Sequence, residues 1–187
     1  MTALAPFEVK RAAQASAVLL RRAPGRRMSR MRLLKLLAIA DRESVRMTGR
    51  SITGDRHVAM EHGHVLSNIY NLIQLRHRDK AQWAAWFVND GRDVVLANDP
   101  GDGQLSSYDV ELLASTEAKF RDFTTKQLRD YSHGLADWKK NEPVPGGHNP
   151  ISVEDTIDAV GLSGKKAVIL AEASAERAVR DILSKFQ

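Results

Sequence analysis

The run "RHVAMEHGHV" at residues 56–65 sets His57, His62 and His64 within eight positions, a density of imidazoles from which metal sites and acid–base catalysts are made. Zinc hydrolases put two histidines four residues apart on one helical face with a glutamate between them, so that both rings reach one metal and the carboxylate polarises its water. Here His57 and His62 are five apart and Gly63 breaks a helix before His64. The three rings therefore share no helical face, and hydrogen-bonded or surface histidines are expected, with no metal and no other cofactor. Ser132 and His133 with Asp130 or Asp137 hold the ingredients of a hydrolase, but no nucleophile elbow surrounds them. "GDG" at 101–103 lacks the strand, helix and lysine of a phosphate cradle and reads as a turn. The chain has no cysteine, which excludes disulfides and thiolate chemistry. No catalytic centre is expected.

The elements that carry these residues read as mainly helical. Phe7 to Leu20 forms one helix, ended by Pro24-Gly25. A second begins at a Ser29 cap, and the run Met31, Leu33, Leu34, Leu36, Leu37, Ile39 and Ala40 leaves it little polar surface before Asp41. This is the expected central core helix, with its stop at Thr48-Gly49. Asp55 is expected to cap a turn carrying Val58 to Met60. A third helix opens near Gly63 with Val65, Leu66, Ile69, Leu72 and Ile73 on one face. "RHVAMEHGHV" is then a turn between two packed helices. In "QWAAWFVNDGRDVVLAN" two apolar runs flank Asn89-Asp90-Gly91, the composition of a β-hairpin turn. Caps at Ser106 or Ser107 and at Ser152, a helix over Thr124–His133 and a terminal helix from Lys165 to Lys185 complete the reading. The fold class expected is mainly α, α+β with one small β-hairpin, in a compact multi-helix single domain spanning residues 1–187.

Composition bounds the function. No stretch approaches the roughly 20 apolar residues of a membrane span and no signal-peptide pattern opens the chain, so a cytoplasmic protein is the expectation. Residues 1–50 carry twelve Lys and Arg against Glu8, Asp41 and Glu43, whereas the rest of the chain is net acidic. A nucleic-acid-binding regulator using that basic segment is one alternative, although no reading motif accompanies the charge. A metal-dependent hydrolase is the other.

The order of segments is more specific than any single site. "MRLLKLLAIADRESVRMTGRSITGDRHVAMEHGHVLSNIYNLI" resembles the characteristic stretch of the Panacea domain, the SocA-like antitoxin domain, with counterparts at Lys35, Leu36, Leu37, Asp41, Gly49, Ile52, Asp55, Gly63, Val65, Ser67 and Tyr70. Leu105-Ser106, Leu128, His133, Trp138 and "HNPISVEDTIDAVG" resemble later family elements, so the likeness runs over about residues 7–162 and leaves the helix of 165–187 outside it. The resemblance implies a mainly helical, non-enzymatic antitoxin that binds and neutralises a cognate protein toxin, in one branch as an adaptor to a Clp-type protease. Self-association into a homo-oligomer is compatible with it. The family usually has Pro where this chain has His64, which on the helix-start reading makes His64→Pro neutral or slightly stabilising. Arg26, Arg27, Arg30 and Arg32, with Trp83 and Trp86 on the exposed side of the tryptophan hairpin, are the candidate partner-binding residues, since Arg and Trp are enriched at interface hot spots.

Overall fold

The computed structural model describes residues 4–183. Its centre is α2 (Arg30–Thr48), whose Ser29 hydroxyl accepts from the Arg32 amide and whose far end closes at Gly49 with φ 72°. Leu33, Leu34, Leu36, Leu37, Ala38, Ile39 and Ala40 are buried on it, so several sides are apolar at once. It is packed on α1 (Val9–Leu20), α5 (Ser107–Phe120), α6 (Thr125–His133) and α8 (Val153–Ala159). Shorter helices α3 (Ser67–Ile73), α4 (Lys80–Ala84) and α7 (Ala136–Lys140) fill the gaps, and α9 (Lys166–Leu183) closes the described chain. No helix among the described residues is long and apolar enough to cross a membrane.

Side-chain N-caps start four of the helices, Ser29 on α2 among them. Ser106 and Thr124 make full capping boxes with Asp109 and Gln127, and Ser152 accepts from the Asp155 amide. The expected Lys185 end of the last helix lies outside the described residues, and its start at Lys166 is one residue beyond the expected Lys165.

The mainly helical α+β class stands, yet the sheet content exceeds one hairpin. β1 (Arg27–Ser29), β5 (Asp93–Leu96) and β4 (Phe87–Asp90) form one antiparallel sheet in the order β1-β5-β4. The Asn89-Asp90-Gly91 hairpin is thus present, while ahead of it Trp83 lies in the helix α4 and Trp86 in the turn that leads into β4. The second sheet, β3-β2-β6, is a correction to the sequence reading: β2 (His57–Met60) pairs with β3 (Gly63–Leu66), and β6 (His148–Pro150) joins the other edge of β2. "RHVAMEHGHV" is therefore a β-hairpin, not a turn between helices, and the helix expected at Gly63 begins only at Ser67. Gly63 with φ 100° ends the tight turn, and the apolar Val65 and Leu66 that suit a helix face are equally buried in a strand.

Candidate functional site

The hairpin β2–β3 lies against α2, and the contact is polar. His57 and His64 are diagonal neighbours on one face of the hairpin, because His57 faces Leu66 and Ala59 faces His64 in the register. His57 Nδ1 is 2.6 Å from His64 Nε2, and His57 Nε2 is 3.0 Å from Asp41 Oδ2. Asp41, fully buried on α2, also accepts from the Ser51 hydroxyl and the Thr53 amide, each at 2.8 Å. Burial works to raise the Asp41 pKa, but the His57 hydrogen bond and charge, the Thr53 amide and the Ser51 hydroxyl together hold it below its ordinary value. His64 is buried with Nδ1 unpartnered, and burial first, then the charges of His57, Arg42 and Lys35, keep its pKa well down. His62 is exposed at the hairpin tip. The histidines thus form a chain of hydrogen bonds ending on a carboxylate. Among the described residues no group of three or more His, Asp or Glu side chains is placed to hold a metal ion.

A second knot sits at the hairpin turn. A Cβ on Gly63 would overlap Ser132 Oγ and Lys35 Nζ, so glycine is required there by space as well as by φ. Lys35, almost wholly buried, donates to Ser132 Oγ at 3.1 Å and among the described residues has no carboxylate partner. Burial, with the nearby Arg129 charge, lowers its pKa to about 8. The His133 ring stacks on Trp138 at 4.0 Å and is hydrogen-bonded to the Glu61 backbone, while Trp138 Nε1 donates to the Met60 carbonyl. Burial is the main cause of the lowered His133 pKa. Ser132 Oγ donates to the Arg129 carbonyl, so its proton is not offered to Lys35, and a Ser–Lys nucleophile is not formed. Arg42 ties α2 to the buried Asp137 at 3.0 Å.

Asp55 departs from its expected role. It caps α3 from outside, accepting from the amides of Asn68 and Ile69, each at 2.9 Å, rather than capping a turn at Val58. Burial raises its pKa to about 6 against these amide bonds. Asp55 and His57 form part of the floor of a cleft of about 600 Å³ bounded by β6 and the start of α8. The polar groups of that floor already have partners, since both carboxylate oxygens of Asp55 and both ring nitrogens of His57 are engaged.

The candidate partner-binding residues fare less well. Trp83 is only 1% exposed and packs on Phe87 in the core, so it offers no surface, and Trp86 is partly buried. Arg32 donates to the carbonyls of Phe120, Arg121 and Phe123, closing the end of α5. Arg27 pairs with Asp90 and Asp93, and Arg30 reaches the Gly91 and Arg92 carbonyls. Arg26 is exposed, and its charge helps to hold the Asp99 carboxyl below its ordinary value. The other motif residues occupy structural posts: Leu36 and Val65 are core, Tyr70 packs against it, Gly49 closes α2 and Ser106 caps α5. Sequence reasoning missed Ser51 as a partner of Asp41, and took Ser132 as a hydrolase ingredient rather than as the partner of Lys35. A His at each end of a hairpin-sized interval, with a polar residue inside an apolar helix, was the available signal.

The arrangement defines a helical α+β protein whose buried polar residues clamp one hairpin rather than present a reactive centre. Residues 33–139 match the family described as Antitoxin SocA-like, Panacea domain, and with more than half of its length covered the protein belongs to that family. The match starts within α2 and ends within α7, so it contains both polar knots and leaves out α1, β1, β6, α8 and α9. No curated protein and no solved structure matches the chain.

Proposed function

We propose that the protein is the antitoxin of a toxin–antitoxin pair and neutralises its toxin by binding it. The observation that supports this reading is the family match across the hairpin and its clamp. The site agrees with it: Asp41, His57 and His64 are buried and hydrogen-bonded to one another, and Lys35 and Asp55 are engaged by Ser132 and by backbone amides, an arrangement that fixes shape. The basic N-terminal residues are largely engaged in ion pairs and helix ends, which gives the nucleic-acid alternative no specific support. The experiment is expression of the neighbouring open reading frame alone and together with this chain. Growth arrest in the first case and its relief in the second are expected, and a harmless neighbour or unrelieved arrest overturns the proposal. The toxin's half-life during relief separates blocking, where it persists, from delivery to a Clp-type protease, where it falls.

A further inference from the structure

The terminal helix α9 is inside out by the usual rule. Of its 18 residues only Ile169 and Ala173 are buried, against Leu4, Val45 and Ile157, while Val168, Val179, Ile182 and Leu183 are each more than half exposed. Ion pairs on partly or fully exposed side chains, Lys166–Asp158 at its start and Arg50–Glu176 and Arg180–Glu8 further along, help to hold it to the rest of the molecule. Exposed pairs of this kind contribute little and are screened by salt. The apolar residues facing away form a sustained stripe: Val168, Ala171, Ala175, Ala178 and Ile182, at alternating spacings of three and four and all exposed. With about 100° per residue this stripe lies diametrically opposite Ile169 and Ala173, so the body of the protein cannot cover it.

The order of residues in the stripe says what can. Read backwards it is nearly the same stripe, with a bulky residue at each end and alanines between. Two copies laid antiparallel about Ala175 place Val168 against the other copy's Ile182 and Ala171 against its Ala178, with the two Ala175 residues on the axis. The central alanines let the backbones approach closely. The flanks raise no objection: Ser174 meets its own copy, Asp181 faces Ala167, and Glu172 faces Val179. Such a pairing would remove on the order of 1,000 Å² of total surface, the lower edge of what a specific interface needs. We infer that α9 is a dimerisation helix, pairing antiparallel and two-fold symmetric with α9 of a second copy of this chain. The pair is reversible, forming at micromolar concentrations and above.

The absence of cysteine from the chain makes a direct test available. In the full-length protein, Ala175→Cys is expected to form an intermolecular disulfide with its own copy under mild oxidation, because identical positions meet at bonding distance only at or beside the axis. Val168→Cys is expected not to, its two copies lying roughly 20 Å apart along the helix, but mixed with Ile182→Cys it is expected to cross-link. Light scattering from micromolar to near-millimolar concentration should show a monomer–dimer equilibrium, weakened at least about tenfold by Val168→Glu with Ile182→Glu while the melting temperature is kept. A wild-type protein that stays monomeric throughout, a dimer indifferent to the double substitution, or self-cross-linking through Val168→Cys overturns the inference. So does loss of toxin neutralisation by the double variant of a monomeric protein, which would assign the stripe to the toxin.

Discussion

The molecule contains two hairpins of equal strand length, and they are built on opposite principles. β4–β5 turns at Gly91, where an added Cβ would meet nothing, and its outer strand is exposed from Val88 to Asp90. β2–β3 turns at Gly63, where an added Cβ would run into Lys35 and Ser132, and every residue of β3 is buried. The first is a surface hairpin made by its turn sequence. The second is made by what surrounds it: two histidines, a buried aspartate, a lysine without a counter-ion, and a stacked His–Trp pair. A turn motif is thus sufficient for a hairpin in water, whereas a buried hairpin with polar side chains needs partners supplied by distant elements.

Matched substitutions at the two turns test that contrast most strongly. Gly63→Ala is expected to cost about 3 kcal/mol or more, since it adds overlap with two buried groups to backbone strain, and to lower the melting temperature by roughly 10 °C. Gly91→Ala, strained only by its backbone, should cost about 1 kcal/mol. Equal effects would mean that the clamp at Gly63 does not exist. Lys35→Met is expected to stabilise the protein at neutral pH by about 1–3 kcal/mol, because a buried charge without a carboxylate is removed and Ser132 keeps its bond to Arg129. Lys35 has a folded pKa of about 8 against an ordinary value of 10.5, so the unfolded chain binds more protons in that window and wild-type stability rises as pH goes from 8 to 10.5. Denaturant titrations across that range should show the rise in wild type and its absence in Lys35→Met.

His64→Phe should cost about 1–2 kcal/mol at neutral pH by leaving a His57 nitrogen unpaired. It should also abolish part of the acid-side instability. The His64 pKa is lowered in the folded state, so the unfolded chain takes up the proton first and wild-type stability falls as pH drops below 6.5. Urea midpoints at pH 5 and 7 that differ as much in His64→Phe as in wild type would remove His64 from the network's titration. His64→Pro is no longer expected to be neutral, since the position lies in a strand and carries that same bond to His57. The smallest effect belongs to the open hairpin: Val88→Thr should change stability by no more than about 0.5 kcal/mol, and a larger loss would show the exposed strand to be covered in solution.

The contrast also explains what could be read from the residues alone. The Asn89-Asp90-Gly91 turn, the caps at Ser29, Ser106 and Ser152, and the Gly49 stop were legible because each acts within about four residues. The core character of α2 was legible from its apolar run, but the meaning of its two polar interruptions was not. Lys35 finds Ser132 across 97 positions and Asp41 finds His57 across 16, and no local pattern encodes such distances. Val65 to Ile73 likewise misled, because a buried strand passing directly into a helix shows a continuous apolar run that suits either period. The partner residues proposed on Arg and Trp enrichment were of the right kind for a surface, yet Trp83 faces the core and Arg32 a helix end.

By itself the sequence determined a mainly helical, cysteine-free chain with a buried central helix, and segment order enough to resemble its family. Local hydrogen bonds and apolar periodicity act over a few residues and are written there directly. Only the tertiary structure decided that three clustered histidines part company, two into a buried relay with Asp41 and one into solvent. A polar group inside a core is held by whichever partners the packing brings, and that choice is made by the whole fold.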